Sequence, residues 1–256
     1  MQRQFDYALV VGHPGHELRV HHWVETRRPV VCVLTDGSGH HGVPRLDSTS
    51  RVLAAAGATP GGVYGWASDR DLYQALLAGK SEVFVALAQA LLDELLEHDV
   101  RTVAGDAIEG FNPAHDVCRL LLQAIVERAR RAHGRTIENL AFALDAPPDE
   151  QPARAHLALE LELDDAALER KLAAAAAYPE MAGEVALARE RFGLAAFRHE
   201  LLWAAPPIDL EERFPEPPFF EVHGERRVRE GHYTEAIRLR QHLLPLWRAL
   251  GGWSRA

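Results

Sequence analysis

Cysteine is scarce: the 256 residues hold two, Cys32 and Cys118, with no CxxC spacing between them. That excludes a disulfide framework and reads as two reduced, buried thiols. Positive charge is short as well. Lys and Arg number 28 against 37 Asp and Glu, for a net charge of −9, which argues against non-specific nucleic-acid binding. No apolar run approaches the ~20 residues of a membrane helix. The opening MQRQFDYALVV lacks a basic n-region, a long apolar h-region and a small-residue cleavage site, so the expectation is a cytoplasmic protein with no membrane partner. No GxGxxG follows the first strand, and no dinucleotide cofactor is expected. Histidine, by contrast, is plentiful at 14 residues, and its placement is informative.

With 47% apolar and 25% charged residues the chain can bury a sizeable core, and its length suits one domain over 1–256. Short β-rich runs (Tyr7–Val11, Pro29–Leu34, Arg101–Ala104, Ile137–Leu144) alternate with helical patterns at His16–Thr26, Leu46–Ala56, Ser81–His98 and Asp116–Ala132. Such alternation predicts an α/β fold, a Rossmann-like, mostly parallel sheet with helices on both faces. Residues 1–145 form the expected core. Residues 146–256 would complete it with a Pro-rich acidic loop at Asp145–Ala153, a strand over His156–Leu163, a helix over Asp164–Ala177, a strand over Phe197–Trp203, a proline-rich loop over Pro206–Pro218 and a basic helix near Thr234–Leu250.

Chemistry concentrates in VVGHPGHE, residues 10–17. In open α/β sheets functional groups gather beyond the carboxyl ends of the strands, and this segment follows the first one. If a helix starts near Pro14, the rings of His13 and His16 converge, and two neutral imidazoles so placed suit a divalent metal. A third ligand is offered by GDAIEGFNPAHDVCRLL, residues 105–121, at the end of another strand. His115 sits there at a helix N-terminus, where the dipole favours the neutral ring. Tyr64, Trp66, Asp69, Arg70 and Tyr73 cluster in VYGWASDRDLY, read as a loop after a short strand near Val63. Aromatics with Asp and Arg suit a polyhydroxylated small molecule, and a packed loop fits equally well. The five arginines of FFEVHGERRVREGHYTEAIRLRQHLLPLW suit a packed amphipathic helix, a phosphate contact or a homo-oligomer interface.

Residues 5–145 resemble the PIG-L/LmbE-like zinc-dependent N-deacetylases, whose signature is strand–AHPDDE–helix followed by HPDH at a later strand end. Here the two motifs read GHPGHE (Gly12–Glu17) and NPAHD (Asn112–Asp116), with LTDGSG (Leu34–Gly39) and RLDSTSRVLAAAGA (Arg45–Ala58) similar to the family's intervening turn and helix. The resemblance implies amide hydrolysis by metal-activated water, on an amino-sugar-like or small-amine substrate. It implies His13, His16 and His115 as ligands of Zn²⁺, with His16 standing where the family has Asp. It also implies two losses: Gly15 replaces the general base, and Asn112 replaces a histidine that assists the oxyanion. Glu17, Glu109, Asp106 and Asp36 (beside Ser38, His40 and His41) are candidate stand-ins for the base, and Asn112 retains a hydrogen-bond donor for an oxyanion. Two alternatives keep the metal: a deacetylase-like protein that no longer hydrolyses and serves as a binding or scaffold protein, or a three-His centre holding Fe²⁺ for a different reaction.

Overall fold

The computed structural model describes residues 4–39, 42–147, 157–214 and 217–256; His40, His41, His156 and most of the acidic proline loop lie outside them. Strand β1 (Tyr7–Val11) is followed by a 3-10 turn at His16–Val20, helix α1 (His21–Arg27), β2 (Val30–Thr35), α2 (Leu46–Ala56) and β3 (Thr59–Ala67). Then come α3 (Asp69–Leu77), α4 (Ser81–Glu97), β4 (Thr102–Asp106), α5 (Pro113–His133) and β5 (Glu138–Phe142). The second half adds β6 (Leu157–Glu162), α6 (Asp165–Ala176), α7 (Ala182–Phe192), β7 (His199–Ala204), α8 (Leu210–Arg213), α9 (Phe219–Arg229) and α10 (Leu244–Arg255).

The seven strands form one sheet in the order β3-β2-β1-β4-β5-β7-β6. β3 through β5 run parallel; β7 is antiparallel to both its neighbours. This is the α/β, Rossmann-like architecture expected. Alternation along the strands splits the core in two. Ala8, Val10, Cys32 and Leu34 pack with Leu91 and Leu95 of α4 and with Leu121 and Ile125 of α5. Leu9, Val11, Val31 and Val33 face the other way, onto Trp23 and Val24 of α1 and Leu53 of α2. Both cysteines are buried and unpaired in a disulfide.

Chain order turns around between β1 and β4: from β1 the chain winds outward through β2 to β3, then crosses back to the other side. Open α/β sheets bind ligands beyond the strand ends at such a switch point, and the segments carrying the two histidine motifs follow β1 and β4 there. Close packing there is tight. A Cβ on Gly105 in β4 would run into Leu122 and come within 2.5 Å of the Val10 carbonyl oxygen. Gly105→Ala is therefore expected to lower stability by ~1–3 kcal/mol, read as a shift in the urea midpoint.

Three sequence expectations change. VYGWASDRDLY is not a loop: Tyr64 and Trp66 lie on β3, and Asp69 and Tyr73 on α3, whose N-cap Ser68 accepts from the Asp71 N–H. No single helix spans 234–250; α10 starts at Leu244 after a π turn at Leu239–Leu243, and α9 precedes it. His16 opens a 3-10 turn, not a helix from Pro14. A buried ion pair joins the second half to the first. Lys171 of α6 meets Glu200 of β7 at 2.9 Å, both essentially inaccessible. Glu200 also accepts the His22 and Trp23 N–H groups, 2.9 and 2.8 Å away, at the otherwise uncapped start of α1.

Candidate functional site

The three histidines meet. Ring centroids lie 5.3 Å apart for His13 and His16, 5.3 Å for His13 and His115, and 4.6 Å for His16 and His115, all edge to face. The tight turn after β1 makes this possible: Gly15 adopts φ 105°, a conformation open to glycine at little cost, and brings His16 back beside His13. His115 comes from the first turn of α5, where Asn112 is the N-cap.

Carboxylates hold two of the rings. His13 Nδ1 lies 2.8 Å from Thr35 Oγ1 and 3.0 Å from Asp69 Oδ1. Thr35 gives its own proton to the Gly12 carbonyl, so both partners accept and His13 Nδ1 carries the hydrogen. Its Nε2 lone pair is then the one left to offer. Burial alone would raise the Asp69 carboxyl; the His13 ring and the Gly39 N–H outweigh it and hold Asp69 well below the usual range. His16 Nδ1 sits 3.0 Å from Asp106 Oδ2, which also accepts the Gly12 N–H at 2.7 Å. Burial would push Asp106 up too, but the His16 and His115 rings and that N–H bring it down. His115 Nδ1 and Asp145 Oδ2 are 3.6 Å apart, too far for a hydrogen bond.

Of the sequence-derived carboxylates, three are engaged elsewhere. Glu17 is fully buried and accepts the Gly15 N–H at 2.8 Å. Burial pushes its carboxyl up to about 7, against the lowering pull of its own backbone, Thr49 and Gly15. Glu109 accepts from the N–H groups of Leu144, Asp145 and Ala146. Asp36 accepts from Ser38 N–H in a turn and from Asp69 N–H. Asp106 stands on the ring cluster itself. Asn112 Oδ1 accepts from the Ala114 N–H and the Tyr73 hydroxyl, both at 2.9 Å. The space beside Gly15 is filled: a Cβ there would lie 3.0 Å from Met181 Sδ, and Arg45 Nη1 donates to that sulfur.

Sequence reading placed Asp69 and Tyr73 in a cluster suited to a substrate but did not tie them to His13 and Asn112, and it did not bring Thr35 or Asp145 to the site. The signal for Asp69 and Tyr73 was Ser68-Asp69-Arg70-Asp71, a helix-start pattern. Among the described residues no group of three or more His, Cys, Asp or Glu side chains is arranged so that it could hold a metal ion as it stands. Yet the donor types and the spacing fit a divalent cation. A tetrahedral ion at ~2.0–2.1 Å from three imidazole nitrogens sets ring centroids roughly 5 Å apart. Buried polar atoms at the cluster also lack partners: Asp106 Oδ1, His115 Nδ1 and Asp145 Oδ2, where buried polar groups are normally satisfied.

The fold is one that solved deacetylases share. A triple mutant of the deacetylase Orf2 of the teicoplanin biosynthetic pathway superposes with TM-score 0.54 at 12% identity, over 81% of this chain and 99% of that one. The deacetylase of the same pathway in its bog complex gives 0.50 at 12% identity, over 77% and 96%. The conserved protein TT1542 from Thermus thermophilus gives 0.52 at 18% identity, over 80% and 97%. At these identities the likeness is one of fold. No protein-family model and no curated protein matches the sequence. No helix among the described residues is long and apolar enough to cross a membrane.

Proposed function

We propose that His13, His16 and His115 hold a divalent cation, zinc by donor type, and that the protein hydrolyses the amide of a small N-acylated amine, of the amino-sugar class. The carrying observation is the meeting of three imidazoles from two strand-end loops at the sheet's switch point, within 5.3 Å of one another. The fold shared with deacetylases supports the reaction class. What such a cation supplies when bound is Lewis acidity, which acidifies water and polarises an acyl carbonyl. The chain does the rest. Asp69 and Thr35 fix the His13 tautomer, and Asp106 fixes that of His16. Asn112, the N-cap of α5 three residues before His115, donates to the acyl oxygen as charge develops there. Glu17, Glu109 and Asp36 are tied to backbone N–H groups. Asp145, whose side chain is 24% exposed, is the carboxylate placed to receive the proton.

The test is elemental analysis of the purified protein together with acetate release from a panel of N-acetyl amino sugars, with and without added Zn²⁺. Stoichiometric zinc and zinc-dependent acetate release are expected. A protein that binds no divalent metal ends this reading. A second reading has its own observation: Met181 occupies the space at Gly15 that a catalytic side chain would need, which favours a metal-binding protein without hydrolysis. Bound zinc with no turnover across the panel selects it. Iron in the protein as purified, with oxygen uptake, selects a three-His Fe²⁺ reaction instead.

A further inference from the structure

Helix α3 reaches the cluster twice. Asp69, its first residue, holds His13. Tyr73, one turn later and on the same face, donates its hydroxyl proton to Asn112 Oδ1. The second contact has a directional consequence. The Ala114 N–H can only donate, so the oxygen of the Asn112 amide must face it. With Oδ1 also taking the Tyr73 proton, the amide is pinned in one of its two flips. Its Nδ2, on the other branch of the amide, is then left free of both of those contacts and finds no hydrogen-bond partner among the described residues. Asn112 is half-buried, and Nδ2 is not among the polar atoms sealed from solvent. His115 projects from the same first turn of α5, three residues on.

We infer that Tyr73 is a positioning residue: its hydroxyl locks the Asn112 amide so that the Nδ2 hydrogens face the ring cluster's open side as a preset donor pair for the acyl oxygen. The inference rests on the hydrolase reading for its catalytic half and on geometry alone for its structural half. Asn112 as an N-cap needs only one acceptor bond, and the Ala114 N–H supplies it. The Tyr73 bond adds nothing to capping and a great deal to orientation, because an unpinned side chain rotates about χ1 and χ2 and presents its donors only part of the time. Preset donors contribute most where charge develops. Removing one such donor outright costs ~10²–10³ in kcat, and loosening it should cost less.

Tyr73→Phe removes one oxygen and leaves the ring. In the zinc-loaded, full-length variant kcat is expected to fall about tenfold with KM within about twofold, the pattern of an interaction made in the transition state. The side-chain amide signals of Asn112, assigned by their absence in Asn112→Ser, are expected to move towards those of a freely rotating asparagine in Tyr73→Phe, with or without zinc. Serine keeps the cap and lacks the amide. In that background Tyr73→Phe is expected to have no further effect on kcat, the non-additivity that marks action through a shared group. Unmoved Asn112 signals, or a kcat loss that persists undiminished in Asn112→Ser, would overturn the positioning role. A wild-type protein that releases no acetate while its Asn112 signals still respond to Tyr73→Phe sinks the hydrolase reading and leaves the orientation of Asn112 standing.

Discussion

Alanine at His115 is expected to abolish retained zinc and acetate release together, with the far-ultraviolet circular dichroism unchanged. The ring stands at the first turn of α5 and carries none of the helix's capping, which falls to Asn112, so the fold should survive its loss. The cation should not, because two imidazoles from one tight turn offer no third direction. Alanine at His13 or His16 should act alike. The buttresses should follow in a graded way. Asp69→Asn and Asp106→Asn keep the shape but weaken the hold on His13 and His16, and partners of that kind typically contribute 10–100-fold in metal affinity. Competition titration with a chelating dye measures both tiers. Equal retention of zinc by His115→Ala and the wild type would remove the three-ring centre from consideration.

Lys171→Met is expected to destabilise the fold strongly, by ~3–5 kcal/mol. Lys171 and Glu200 are 4% and 0% exposed at their side chains. Without the ammonium, the Glu200 carboxylate stays buried on two N–H groups alone, with its charge uncompensated. Lys171 Nζ also donates to the Arg19 carbonyl at 2.9 Å, so the 3-10 turn that carries His16 loses an anchor at its far end. Urea unfolding of the variant beside Arg170→Met makes the comparison clean. Arg170 pairs with Glu25 on the surface, where such pairs contribute little, so that variant should unfold near the wild-type midpoint. Similar midpoints for the two would mean that the buried pair does not join α6 and β7 to α1.

How much of this was legible beforehand follows from the range of the forces involved. β1 and α2 match their expected bounds to the residue because local signals define them: an apolar run into glycine for β1, and Gly57 in left-handed conformation after Ala56 for α2. The histidines were legible because they follow two strand ends, His13 and His16 directly after β1 and His115 at the start of the helix after β4. Their partners were not. Asp69, Asp106 and Asp145 meet His13, His16 and His115 across 56, 90 and 30 residues of chain, a pairing set by the sheet order. The first two separations are those of the contacts themselves, the third that of residues 115 and 145. The helix over 234–250 was misplaced because its amphipathic pattern runs on past the π turn at Leu239–Leu243, where the hydrogen bonding changes. α9 was submerged in the same basic stretch.

Met181 closes the turn after β1 to substitution. With its sulfur 3.0 Å from where a side chain at position 15 would begin, and with φ at 105°, an acidic residue placed at 15 meets both a steric and a conformational barrier. A carboxylate could enter there only beside a smaller residue at 181, so the two positions have to change as a pair. Even then the left-handed backbone would resist it, and Gly15→Asp with Met181→Ala relieves the first barrier while leaving the second.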